Sequence, residues 1–75
     1  MDSRKIFVGE KYLHFKNKLY QVLAVATHTE TGEPLVIYQA LYGERGYWVR
    51  PASMWLETVT RDGQIRPRFV WISGE

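Results

Sequence analysis

Apolar residues along this chain recur nearer to every second position than to every 3.6, a spacing that predicts strands. Tyr12 to Phe15 alternates as a first short strand, and Asn17-Lys18 supplies a tight turn because Asn tolerates positive φ. Leu19 to His28, rich in Val, Leu and Tyr, is the strongest strand. Thr29-Glu30-Thr31-Gly32 reads as a type I turn with Gly32 at a left-handed bulge position, leading into a partner strand from Pro34 to Tyr42. That turn sets Thr29 opposite Glu33 and predicts the pairs Ala26–Val36, Ala24–Tyr38, Val22–Ala40 and Tyr20–Tyr42. The other face of this hairpin carries Leu19, Leu23, Val25, Leu35, Ile37 and Leu41, so both faces are apolar, as a curled sheet covered on part of its outside requires.

Gly43-Glu44-Arg45-Gly46 predicts the next turn and Tyr47 to Arg50 a short strand. Pro51 lacks an N–H and ends the ladder, and one 3₁₀ turn fits Pro51 to Met54. A strand from Trp55 to Thr60, an Asp62-Gly63 hairpin turn and a strand from Ile65 to Ile72 complete the plan, with Pro67 demanding an edge or a bulge. Five to six short antiparallel strands with one 3₁₀ turn before a late strand predict an all-β fold, a small SH3-like barrel. Residues 1–9 read as a partly ordered N-terminal arm ending at Gly9, and the 75 residues as one domain.

A chain of this length buries only roughly 60% of the surface it exposes when unfolded. The composition, 45% hydrophobic and 15% aromatic, suffices for a core without staples. There is no cysteine, so disulfides and thiolate metal ligands are excluded. The N-terminal stretch shows no long apolar run, which predicts no signal peptide, no membrane helix and a cytoplasmic location. Ten Lys and Arg against eight Asp and Glu give a net charge of +2, mild for a nucleic-acid binder. The cations still segregate: Arg4, Lys5, Lys11, Lys16 and Lys18 come first, and Arg45, Arg50, Arg61, Arg66 and Arg68 follow without a lysine among them.

Candidate chemistry is sparse. His14 and His28 lie on different strands with no local metal-ligand spacing, so neither a metal nor another cofactor is expected. Ser3, Ser53 and Ser73 have no neighbouring base, which argues against nucleophilic catalysis. Glu30 and Glu33 flank the first long turn, where carboxylates are ordinarily solvated. The segment Tyr42-Gly43-Glu44-Arg45-Gly46-Tyr47-Trp48-Val49-Arg50-Pro51 stands out because aromatics beside Arg combine stacking faces with a bidentate donor. Alternation puts Trp48 and Arg50 on one side of their strand, Tyr47 and Val49 on the other.

Taken in order, His14-Phe15-Lys16, Tyr20-x-Val22, His28-Thr29-Glu30-Thr31-Gly32-Glu33, Tyr38-x-x-Leu41-Tyr42-Gly43 and Trp48-Val49-Arg50-Pro51-x-x-Met54 form a set that resembles the small bacterial family of domain of unknown function 1653. The likeness runs from about Tyr12 to Phe69, and Trp55 stands where Phe is expected more often. It implies a compact, mostly stand-alone bacterial protein and no particular activity. The family's polar motif positions fall on His14, Lys16, His28, Glu30, Glu33 and Arg50.

These features predict a non-enzymatic binding module. Its groove would be lined by Tyr38, Tyr42, Trp48 and Arg50, with His14 or His28 beside it and Lys16, Glu30 and Glu33 at the rim. A peptide, a protein or a small anionic ligand is the expected partner, no membrane is involved, and the chain is a monomer or a weak homodimer. Two alternatives follow from the same residues. One is binding of RNA or single-stranded nucleic acid. The other is a small hydrolase or isomerase built on His28, Glu30 and Glu33.

Overall fold

A computed structural model describes residues 6–72. Strands β1 (Lys11–His14), β2 (Lys18–Thr27), β3 (Pro34–Ala40) and β4 (Tyr47–Pro51) are followed by a single helical turn, α1 (Ala52–Trp55). Then come β5 (Thr58–Arg61), β6 (Gln64–Pro67) and β7 (Phe69–Ile72). The fold is all-β: an antiparallel five-stranded sheet in the order β4-β3-β2-β1-β7, and a separate β5-β6 hairpin. Among the described residues no pairing joins β4 to β7, so the expected closed SH3-like barrel is not seen.

Local chemistry explains the turns. Asn17 takes φ 64° between β1 and β2, and its N–H donates to the His14 carbonyl at 2.7 Å. Asp62 and Gly63 both have positive φ, as a two-residue type I′ hairpin between twisted strands requires.

The β2–β3 register corrects the predicted pairing. The turn closes one residue tighter, with the His28 N–H donating to the Glu33 carbonyl and Thr27 opposite Pro34. Carried straight along the hairpin, that register would set buried Val22 against outward-facing Gln39. A bulge between Val22 and Ala24 removes the mismatch by leaving Leu23 unpaired. Tyr20 then faces Ala40 and Val22 faces Tyr38, so the core-side residues meet. Ala24 and Ala26 move to the row of Ile37 and Leu35. Leu19, Leu23 and Val25 remain substantially exposed.

Two further expectations change. The turn after Pro51 is α-helical, closed by the Leu56 N–H on the Ala52 carbonyl, and it carries Trp55 into the core where a strand was expected. The last strand divides at Arg68: β6 pairs only with β5, and β7 pairs with β1, which leaves Pro67 on an edge. The arm is docked where it is described. Ile6 and Phe7 pack on the core, the Phe7 N–H donates to the Tyr12 hydroxyl at 2.9 Å, and Phe7 lies against Trp71. The part of the arm before Ile6 lies outside the described residues.

The core comprises Tyr12, Val22, Val36, Tyr38, Ala52, Trp55 and Phe69. Trp55 stacks on Phe69 with centroids 3.6 Å apart, and meets Tyr38 at 4.8 Å and Tyr12 at 5.3 Å edge to face. Its Nε1 has no acceptor among the described residues. Trp55→Ala is therefore expected to cost ~3–5 kcal/mol in urea unfolding, and Trp55→Phe, which keeps a ring and removes an unpaired donor, much less. The exposed Trp48 replaced by Ala should shift stability by under ~1 kcal/mol. Equal losses at positions 48 and 55 would contradict this core.

Candidate functional site

Four strands contribute one ring each to a continuous aromatic face that extends from the core. His14 on β1 meets Phe69 on β7 at 4.9 Å and Tyr20 on β2 at 6.1 Å. Tyr20 meets Tyr38 on β3 at 5.3 Å and Tyr42, just past β3, at 5.5 Å, and the Tyr20 and Tyr42 hydroxyls share a hydrogen bond of 2.5 Å. From β4, Arg50 reaches over this cluster. Its Nε donates to the Tyr38 hydroxyl at 3.4 Å, and its guanidinium carbon lies 5.7 Å from the Phe69 centroid. Arg50 is half-buried, and no carboxylate pairs with it among the described residues.

Burial, more than charge, perturbs the titratable groups here. Burial pushes the His14 imidazole down to about 4, and the cations Arg50, Arg68 and Lys16 push the same way. His14 is thus neutral near pH 7, and its Nδ1 accepts the Lys16 N–H at 3.2 Å, which places the ring proton on Nε2. The Tyr20 hydroxyl is raised well above the ordinary range by burial, then by the hydrogen bond to Tyr42, with Arg50 opposing.

Of the residues singled out in the sequence, His14, Tyr38, Tyr42 and Arg50 come together. Trp48 sits opposite Tyr38 in the register, on the side of Arg50 but mostly exposed at the sheet edge. Lys16 lies in the β1–β2 turn with its ammonium 5.8 Å from the Phe15 ring. His28, Glu30 and Glu33 occupy the β2–β3 turn. There His28 Nδ1 accepts the N–H groups of Glu30 (3.1 Å) and Thr31 (3.3 Å), and Thr31 Oγ1 accepts that of Glu33 (3.2 Å). Among the described residues no group of three His, Asp or Glu could hold a metal ion. Tyr20 and Phe69 join this face although no sequence motif marks them as site residues. Alternation along the β2–β3 hairpin sets Tyr20 on the face of Tyr38 and Tyr42, whereas Phe69 enters only through the pairing of His14 with Phe69 across β1 and β7.

An open five-stranded antiparallel sheet, a separate two-stranded hairpin and one helical turn make this a small all-β protein. Residues 10–71 match the family described as protein of unknown function (DUF1653), and the chain belongs to that family. A solved structure of a DUF1653 protein from Bordetella bronchiseptica is similar, with a TM-score of 0.79 and 34% sequence identity, covering 88% of this chain and 87% of that one. No curated protein matches. Among the described residues no helix is long and apolar enough to cross a membrane.

Two outcomes follow. With a folded-state value near 4 against 6.5 when unfolded, His14 binds more protons in the unfolded chain between those limits. Stability should therefore rise with pH from 4 to 6.5, and His14→Gln should flatten that rise in urea unfolding at a series of pH values. His28→Ala, which leaves two turn N–H groups without their acceptor, should cost ~1 kcal/mol and leave the chemical shifts of His14 and Tyr38 in place.

Proposed function

We propose that the protein is a non-enzymatic binding module that holds an acidic peptide or a small anionic ligand against Arg50. The observation that carries this reading is Arg50 itself, half-buried, oriented by Tyr38 and Phe69 and paired with no carboxylate among the described residues. A guanidinium removed from water without a counterion is destabilising, and a ligand carboxylate offsets that cost. With Nε occupied by Tyr38, the terminal amino groups remain for a planar, two-point bond to a carboxylate. Tyr42 and Trp48 offer apolar surface at the edge of this face, and neutral His14 offers its Nε2 proton as a further donor. The sheet is best understood as an SH3-like barrel left open between β4 and β7, with the ligand on the inner face.

Titrating isotope-labelled protein with citrate and with a short Glu-rich peptide tests this. Saturable shifts are expected at Arg50, Tyr38 and His14. Arg50→Ala should abolish them, and Arg50→Lys, a point charge without the planar fork, should weaken binding about tenfold. Unchanged affinity in Arg50→Ala would remove the site.

A further inference from the structure

A second cluster of cations lies where the β1–β2 turn faces the β5–β6 hairpin. An open cleft of about 380 Å³ is lined there by Phe15, Lys16, Asn17, Arg61, Asp62 and Arg66. Phe15 is half-buried, and three cations rest over its ring: Arg61 at 5.6 Å, Lys16 at 5.8 Å and Arg68 at 5.9 Å. One of them is neutralised, since Arg68 pairs with Glu57 at 3.1 Å, although its Nε is buried without an acceptor. Lys16, Arg61 and Arg66 have no carboxylate within 4 Å among the described residues. Arg66 is held by Gln64 Oε1 at 3.0 Å. The one carboxylate lining the cleft is Asp62, against three cations.

We propose that this cleft binds a phosphate group. Like charges gathered at two facing turns repel one another unless an anion lies between them. Cations approaching from both turns suit a tetrahedral phosphate, whose oxygens accept from several directions, better than a planar carboxylate, which one arginine fork satisfies. The Phe15 ring limits the motion of the cations resting on it, so less freedom is lost on binding. The cleft is distinct from Arg50 yet linked to it. The Phe15 ring touches His14 at 4.5 Å, and His14 in turn touches Phe69 beneath Arg50.

The probe is inorganic pyrophosphate, titrated against the full chain and compared with sodium chloride at equal ionic strength. Saturable shifts at Phe15, Lys16 and Arg61 are expected with pyrophosphate alone. Arg61→Ser combined with Arg66→Ser, both exposed positions, should weaken binding at least about tenfold. Asp62→Asn, which tolerates the left-handed backbone at φ 54°, should tighten it. Bound phosphate sits beside Lys16 and offsets its effect on His14, whose other neighbours are Arg50, Arg68 and Tyr20, so the His14 titration should move upward on saturation. Arg50→Ala should leave pyrophosphate affinity within about twofold, which separates this site from the one above. Displacement of pyrophosphate by ADP or by single-stranded RNA would support the site and identify the source of its phosphate. Shifts reproduced by chloride, or unchanged affinity in the double variant, would overturn it.

Discussion

The stack of Trp55 on Phe69 is the contact on which the rest of this structure depends. Phe69 begins β7, and Trp55 ends the helical turn that follows β4, so their rings tie the sheet's two edge strands together although those strands are not hydrogen-bonded. Tyr38, from the middle of the sheet, closes on the same indole. The face that carries the candidate site stands on this stack. Arg50 lies over Phe69, His14 lies against it, and Tyr20 reaches both Phe69 and Tyr38. Positioning of the guanidinium is thus a consequence of core packing. In a chain this short, the aromatics that exclude water from the core also shape the surface above it.

Much of the strand plan was legible because turn chemistry is local. Asn17, Gly32 and Asp62-Gly63 each need a positive φ that few residues accept, and each marks a turn in the structure. What was not legible depends on contacts distant in sequence. The bulge at Leu23 exists because a turn closed by His28 and Glu33 and a core row of Tyr20, Val22, Tyr38 and Ala40 cannot share one unbroken register. Neither requirement alone reveals the conflict. Trp55 belongs to the helical turn that follows Pro51, and its indole is held there by Phe69, Tyr38 and Tyr12. A period-two pattern over so few residues does not distinguish that from a strand.

The candidate site divides along the same line. Trp48 and Arg50 fall on one side of β4 by simple alternation, and the register agrees, setting them opposite Tyr38 and Val36. Phe69 and Phe15 could not be found that way. Phe69 gains its place from the pairing of β1 with β7, and Phe15 from a hairpin more than forty residues further along the chain. Motif residues also differ in what they do. His28, Glu30 and Glu33 belong to a turn whose backbone donors account for the His28 acceptor, whereas Arg50 belongs to a face with charge left over.

Surplus positive charge is therefore the property that sets one end of this molecule apart. Burial acts most strongly on His14, and Arg50, Arg68 and Lys16 push the same way, so the ring between the two cationic surfaces stays neutral and adds no charge of its own. A protonated His14 would repel those neighbours and destabilise the face they share. Neutral, it presents an Nε2 donor and an edge-on ring that fills the space between Phe69 and Tyr20. With a net charge of only +2 over 75 residues, the positive field at this end depends on where the cations gather rather than on their number. The aromatic rings fix that location, because Phe15 and Phe69 each hold a guanidinium over their faces, and Phe69 is itself part of the core.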